Sequence, residues 1–301
     1  FETPYYTLLN DTAYRLVKDI TLYPDAETAR TDITITVRTD NGLLYFEPVH
    51  ITGLPATAPY TISDLQQYTA HSLAGALSEK CSTLVTIEAT AGETVIAVLR
   101  QEVWIHPLDS FPGIRAAKFL ARYITPHHPY VYDIKRKTAA NLQQYGFHPA
   151  FDGYQSGDRQ RVSDIIATLF YTLKDEQWVY SALPPGYEKE GQRIRMIDQV
   201  QRQRFGNCID LSLVICACLE AMDLHPLLIL IPGHAFVGCW LSNKRLDVPV
   251  TSYKSEIVNR MGKGNEEILV WEATAACAGH SDSFKEAVAA AERLIIGDKA
   301  F

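Results

Sequence analysis

One stretch of the sequence places a cysteine and a histidine in positions suited to nucleophilic chemistry. Cys208 follows Gly206 and opens a strongly apolar run, whereas His234 follows a Pro-Gly turn. The first turn of a helix favours a thiolate, because its N–H groups lack partners and the helix dipole is positive there. An imidazole at the start of the following strand can take the proton of the thiol. The pair therefore predicts a thiol nucleophile with a general base.

A carboxylate further along the chain can complete this arrangement. Glu272 lies in a predicted strand, Ile268–Ala273, and can hold the second imidazole nitrogen of the histidine, which fixes its tautomer. Asp247 is the alternative acid. Thr274, two residues beyond Glu272 in the same predicted register, is expected to support the carboxylate with its hydroxyl. We interpret Trp271 as a core or pocket-wall residue, because its neighbours in this strand are apolar.

The elements that must position these residues are predicted to be a buried helix and antiparallel strands. The hydrophobic pattern predicts, in chain order, helix Cys208–Met222, strands Pro226–Ile231, Ala235–Leu241 and Ile268–Ala273, and helix Phe284–Ile295. The Pro232-Gly233 turn makes the first two strands antiparallel neighbours. Ser281 or Asp282 is expected to cap the last helix.

The residues before this stretch also carry helical spacing. Helices are predicted over Ile114–Tyr123, Val131–Tyr145, Arg161–Lys174 and, as a short helix or turn, Asp198–Arg204. Pro126, Pro129 and Pro149 are interpreted as helix breakers between them.

The first third of the chain has the alternation of strands. Strands are predicted over Ile33–Val37, Leu43–Phe46, Leu84–Ala89 and Val95–Ile105, with Asp40-Asn41-Gly42 as a turn. Residues 61–77 fit a loop or a short helix that starts at Ser63. We expect a small β-sandwich over residues 1–110, a structural or docking module, and a second domain over residues 111–301 that begins near Pro112-Gly113.

Composition narrows the functional class. The chain has 301 residues, 47% of them hydrophobic and 21% charged, and its net charge is −7. Disorder and nucleic-acid binding through bulk electrostatics are therefore not expected, and no apolar run is long enough to span a bilayer. The sequence starts with Phe1 and without a secretory signal, so we expect a segment of a longer protein.

The six cysteines favour a reducing compartment. Cys81 stands alone, and Cys216 and Cys218 lie inside an apolar helical run. Two residues of separation place that pair on different helix faces, and no second pair has zinc-finger spacing, so no metal is expected. We interpret the other cysteines as buried packing residues and predict a cytoplasmic protein without a cofactor.

Several motifs in order resemble the transglutaminase-like, papain-related superfamily. The motifs are GNC at 206–208 for the nucleophile, GHAFVG at 233–238 for the histidine and WEAT at 271–274 for the acid. The runs FDGYQ at 151–155, GQRIR at 191–195, CIDLSL at 208–213 and PGHAFVGCWL at 232–241 are similar to the transglutaminase-like domain of large bacterial proteins that also carry helicase and nuclease modules. In those relatives a β-sandwich precedes the domain.

The resemblance implies an immunoglobulin-like sandwich followed by an α+β domain with its nucleophile at a helix N-terminus against an antiparallel sheet. It implies Cys208 as nucleophile, His234 as base and Glu272 as acid, although better-known members have aspartate at the acid position. By analogy with the glutamine that precedes the cysteine in papain-like enzymes, Gln192 is the side-chain candidate for the oxyanion, with Gln155 as its rival. The backbone N–H of Cys208 is expected to be the other donor.

Two functions remain open at this point. The first is a thiol enzyme that attacks a protein or peptide amide and forms a thioester, with proteolysis or amide hydrolysis preferred over transglutamination. The second is an inactive module that binds a peptide or partner protein within a larger bacterial protein, since a fold does not by itself give a function. Partners are then a peptide substrate or other domains of a parent protein, with a possible role in phage defence.

Overall fold

Strands dominate the first part of the chain and helices the second, so the predicted α+β class is confirmed. The computed structural model describes residues 1, 4–7, 15–23, 30–182, 191–262 and 264–297. The chain divides into two units, Phe1–Ser110 and Phe111–Phe301, each with its own hydrophobic core.

The first unit is built around a curled, mostly antiparallel sheet. Its elements are β1 Tyr5–Tyr6, β2 Ile20–Leu22, β3 Arg30–Thr39, β4 Leu44–Phe46, β5 Val49–Leu54, β6 Tyr60–Ile62, β7 Gln67–Thr69, helix α1 His71–Ala76, β8 Cys81–Ala91 and β9 Thr94–His106; β10, Ser110–Phe111, follows. Strand β3 pairs with β8 on one edge and with β4 and β5 on the other. The sheet continues through β9 to β1 and through β4 to β7, and β2 and β6 form a separate ribbon. The immunoglobulin-like sandwich stays a prediction.

Side-chain alternation explains the core of this sheet. Ile33, Ile35 and Val37 are buried at every second position of β3, as period-two strands require. Register places Ala89 of β8 opposite Ile35, so one face of both strands enters the core. Gly42, with φ of 66°, closes the predicted turn after β3.

The region from residue 61 to 77 differs from its prediction. Of the two alternatives the helix from Ser63 is wrong, because Ile62 ends a strand that pairs with Ile20, residues 63–66 form a loop and β7 follows. The helix forms later, over His71–Ala76. Pairing with distant strands overrides the local preference of such short segments.

The second unit contains the helices that the sequence predicts, with small shifts in their ends. Its elements are a 3-10 segment Ile114–Tyr123, α2 Pro129–Gln144, a 3-10 turn Gly153–Ser156, α3 Arg159–Lys174, β11 Val179–Tyr180, β12 Gln192–Arg193, α4 Ile197–Gln203, β13 Phe205–Gly206, α5 Cys208–Ala221, β14 Pro226–Ile231, β15 His234–Trp240, α6 Lys254–Met261, β16 Ile268–Trp271, a 3-10 turn Ala273–Ala276 and α7 Phe284–Ile296. None of the helices in the described ranges has the length and apolar character that a membrane crossing requires.

Three local details depart from the predictions. Pro129 does not break a helix but occupies the first turn of α2 after the cap His128, where its missing N–H costs nothing. The 114–123 segment is 3-10 rather than α-helical and is kinked at Ala116. The last helix is capped by Ser283, one or two positions after the predicted caps, and Glu286 completes a capping box with it.

Helix α5 is the central element of the second unit. Every residue from Cys208 to Leu219 is buried, which explains why this helix shows no polar face. It packs against α2 and against strands β14 and β15. Because its whole length is enclosed, the N-terminus of α5 has a fixed position.

The three-stranded sheet is covered on both faces. Strand β15 lies between β14 and β16, and both pairings are antiparallel. Val237 and Cys239 belong to the core around α5, whereas Phe236 and Trp240 belong to a second core that α6 and α7 complete. This double coverage fixes the position of the strand that begins with His234.

We predict that α5 tolerates truncation of its buried side chains poorly. Ile215 is fully buried, so Ile215→Ala should lower the free energy of unfolding by about 3 kcal/mol through lost transfer energy and a cavity. Ile296→Ala is the matched control, because that isoleucine is 61% exposed and its loss should cost less than about 0.5 kcal/mol. Urea unfolding followed by tryptophan fluorescence measures the unfolding free energy of both variants. Equal decreases in the two variants would contradict the central role of α5.

Candidate active site

His234 and Glu272 form a direct hydrogen bond. His234 is the first residue of β15 and Glu272 directly follows β16, which pairs with β15 in antiparallel register. The imidazole Nε2 lies 2.7 Å from Oε2 of the carboxylate. Their side chains are only 21% and 12% exposed, so the pair is largely shielded from solvent. The carboxylate that pairs with His234 is therefore that of Glu272, whereas Asp247 is exposed in a loop.

The nucleophile candidate stands at the start of α5. Asn207 caps this helix, and its Oδ1 accepts from the N–H groups of Ile209 and Asp210, both at 3.0 Å. Cys208 is the first residue inside the helix, where the backbone N–H has no acceptor within the helix itself. Cys208 is also among the groups that raise the pKa of the His234 imidazole, so the sulfur lies near that ring. Since Nε2 of that ring faces Glu272, Nδ1 is the nitrogen left for the thiol.

The electrostatics of the three residues favour a charged imidazole. Burial lowers the pKa of His234, but the interactions with Cys208 and Glu272 outweigh it and raise the pKa to about 10. Burial also raises the pKa of Glu272, but its hydrogen bond to His234 and those to Thr274 hold it below the ordinary value. The site therefore places an imidazolium between the Glu272 carboxylate and the Cys208 sulfur.

Thr274 supports the carboxylate by a route that differs from the predicted one. Strand β16 ends at Trp271, two residues before the predicted end, and Glu272 caps a 3-10 turn instead. The backbone N–H and the hydroxyl of Thr274 donate to Oε1 at 3.0 and 2.9 Å. This leaves Oε2 for His234, so the two carboxylate oxygens bind different partners. Trp271 is a core residue, 1% exposed.

Tyr180 is a site residue that the sequence interpretation missed. Strand β11 runs parallel to β13, with Tyr180 opposite Gly206, and Cys208 is among the groups that raise the pKa of the Tyr180 hydroxyl. Burial is the largest of the effects that raise the pKa of Tyr180, so the hydroxyl stays protonated and can donate. Tyr180 lies far from Cys208 in the sequence, in a two-residue strand without a motif. Only the pairing of β11 with β13 reveals it.

A buried ion cluster fixes that pairing. The carboxylate of Glu176, almost fully buried, accepts from Tyr130, from Lys137 at 2.6 Å and from Arg204 at 2.5 Å. The carbonyl of Arg204 in turn accepts from the N–H of Val179 at 2.7 Å. The cluster thereby ties the residues before Tyr180 to the residues before Cys208.

A second buried carboxylate ties the helix to the segment that carries Gln192. Asp210 is fully buried and accepts from the backbone N–H of Asn207 at 3.0 Å and of Arg195 at 2.8 Å, and from the Arg195 guanidinium at 3.0 Å. Burial raises the pKa of Asp210 even though these hydrogen bonds act against it. The start of α5 and residues 192–195 therefore form one rigid corner.

The two glutamine candidates lie in different places. Gln192 lines a pocket together with His234 and Ile209, the neighbour of Cys208. Gln155 is exposed, and the neighbouring Tyr154 donates to the carbonyl of Trp240, at the opposite end of β15 from His234. Six residues of strand separate those ends by roughly 20 Å, so Gln155 does not reach the site.

The described residues include no group of three or more histidine, cysteine, aspartate or glutamate side chains arranged to hold a metal ion. Cys216 and Cys218 are fully buried, and burial raises the pKa of both thiols. A comparison with protein-family profiles, curated proteins and solved structures found no match to this chain.

We predict that the corner at Asp210 is essential for stability. Asp210→Ala leaves three donors without their acceptor and should lower the free energy of unfolding by about 3 kcal/mol. Asp198→Ala is the control, because Asp198 pairs with Arg202 on an exposed surface and should contribute less than about 1 kcal/mol. Denaturant titration measures the unfolding free energy of both variants. Similar decreases in the two variants would contradict the structural role given to Asp210.

A second prediction concerns pH. Because the pKa of His234 is raised from 6.5 to about 10, its contribution to stability is complete below about pH 6.5 and is lost as the pH rises to about 10. The stability difference between the native protein and His234→Gln should therefore shrink steadily across this window. Urea midpoints under reducing conditions measure it, with His127→Gln as control. A stability difference between the native protein and His234→Gln that stays constant with pH would contradict a charged His234–Glu272 pair.

Proposed function

We propose that the second unit is a thiol-dependent acyl-transfer enzyme that acts on amide bonds of peptides or proteins. The observation that carries the proposal is the hydrogen bond of 2.7 Å between the His234 imidazole and the Glu272 carboxylate, with Cys208 at the start of α5 close enough to affect the pKa of the same imidazole. Nucleophile, base and orienting acid in this order are the components of a thiol acyl-transfer site.

In the first step the Cys208 sulfur attacks the carbonyl carbon of the amide. The thiol proton resides on His234, and its imidazolium returns that proton to the leaving nitrogen as the C–N bond breaks. Glu272 keeps the ring oriented and stabilises its charge. The products of this step are a thioester on Cys208 and a free amine.

The developing oxyanion needs donors close to the sulfur. The backbone N–H of Cys208, at the positive end of α5, is one of them. The Tyr180 hydroxyl, whose pKa the nearby Cys208 affects, is the second in our proposal. Tyr180 then has the role that the sequence resemblance gave to Gln192.

The second step resolves the thioester. Water attacks the carbonyl with His234 as base, the C–S bond breaks, and a carboxylic acid and the free thiol result. We propose hydrolysis, and therefore a protease or amidase, because water needs no further binding site. An amine acceptor in place of water would give transamidation.

The resemblance to the transglutaminase-like superfamily agrees with this proposal in the order of its motifs. Under it, the first unit is the immunoglobulin-like module that precedes such domains in bacterial helicase-associated and nuclease-associated proteins, and the chain acts in the cytoplasm as part of a longer protein. All six cysteines are free thiols, which supports a reducing compartment.

Iodoacetamide labelling tests the nucleophile. At pH 7 we expect Cys208 to be alkylated first, with Cys81, the only cysteine that is not buried, as internal comparator. His234→Gln should slow labelling of Cys208 by about tenfold or more, because it removes the base. Peptide mapping by mass spectrometry assigns the labelled sites, and Cys208→Ala should remove the fast phase.

The alternative, a binding module without catalysis, predicts the opposite result. Cys208 is only 4% exposed, which on its own suits a packing residue. Labelling of Cys81 alone, or a Cys208 rate that does not depend on His234, would support the binding module and overturn the enzyme.

A further inference from the structure

An apolar pocket opens beside His234. Its walls come from the adjoining ends of β14 and β15, from the start of α5 and from the segment that begins at Phe111; they include Phe111, Ile114, Ile209, Leu230, Ile231 and Ala235. Apart from the imidazole, the polar side chain in this lining is Gln192. The pocket therefore combines aliphatic walls with one neutral amide next to the base.

The Gln192 amide is buried without partners. Both its Oε1 and its Nε2 are inaccessible to solvent, and neither has a hydrogen-bond partner among the described residues. Leaving a buried donor and a buried acceptor unpaired is unfavourable for the free protein. A ligand that supplies an acceptor and a donor side by side would satisfy both atoms.

Gln192 is held where it is by its neighbours. Gly191 has φ of 79°, and a Cβ added to it would lie 2.5 Å from the carbonyl oxygen of Phe111. Only glycine fits there, so the chain can approach Phe111 closely and place Gln192 in the pocket. Three residues later the Arg195 N–H is fixed by Asp210. The backbone on both sides of Gln192 is thus fixed, whereas its side-chain amide makes no hydrogen bond.

We propose that this pocket binds the small aliphatic side chain next to the reacting carbonyl of the substrate, and that Gln192 in its wall pairs with a main-chain peptide group of the same substrate. A small rotation of the Gln192 side chain into the pocket, which breaks no hydrogen bond, lets Nε2 donate to a main-chain carbonyl and Oε1 accept from a main-chain N–H. The neutral aliphatic walls accept an apolar side chain and would leave a charged one unpaired. This inference rests on the proposed function and names its substrate class: peptides with a branched aliphatic residue at the reacting position.

The size of the pocket limits that side chain. Its volume is about 50 Å³, which holds roughly four water-sized groups. Valine or leucine fits this space, whereas an aromatic ring does not. The site therefore distinguishes substrates by size as well as by polarity.

Peptidyl chloromethyl ketones test the inference, since the Cys208 sulfur forms a C–S bond and chloride leaves. Three acetyl-dipeptide probes, with both residues valine, aspartate or phenylalanine, are compared with iodoacetamide on the full chain. We expect the valine probe to label Cys208 at least about tenfold faster than the other two peptides. Gln192→Met should abolish this preference, whereas Gln203→Met, an exposed control at the end of α4, should retain it.

The outcomes separate the inference from the proposed function. If iodoacetamide also fails to label Cys208, the proposed function itself fails. If iodoacetamide labels Cys208 but the three peptides react equally, or the valine preference survives Gln192→Met, the pocket inference is overturned. The unfolding midpoint of Gln192→Met should not fall, because no partner is lost, so a reduced preference is not explained by misfolding.

Discussion

The buried carboxylate of Asp210 joins the pieces from which the candidate site is built. It closes the cap of α5 through Asn207 and holds the backbone and side chain of Arg195 at the same point. An ionisable group without solvent exposure is stable only when its acceptor atoms are used, and here three donors use them. The start of α5, which carries Cys208, and the backbone at Arg195, three residues after Gln192, are consequently fixed relative to each other.

Strands and turns bring the other side chains of the candidate site to the start of α5. Strand β15 delivers the imidazole and the turn after β16 delivers the carboxylate, while the β11–β13 pairing adds the Tyr180 hydroxyl. Each element is anchored away from the site, in the α5 core or at the Glu176 cluster. A rigid support of this kind lets catalytic groups keep one geometry at little cost during reaction.

Some residues of the candidate site can be recognised from their neighbours in the sequence, and others cannot. Cys208 and His234 were predictable, because a helix start and a Pro-Gly turn are visible within a few residues. The environment of Glu272 was predicted only in part, because the residues after Trp271 leave the strand to form a capped turn. Tyr180 could not be predicted, since its place depends on pairing with a distant segment. In the first unit, the same dependence on long-range pairing produced strands where a helix from Ser63 was considered.

The most direct test of the acyl-transfer account is a burst experiment with p-nitrophenyl acetate, which acylates a reactive thiol without requiring a known substrate. The account predicts about one equivalent of p-nitrophenol in a fast phase, an acetyl thioester mapped to Cys208, and slower hydrolysis of that thioester in Glu272→Gln. It is contradicted if no acetyl group is found on Cys208, or if Cys81 is acetylated at the same rate.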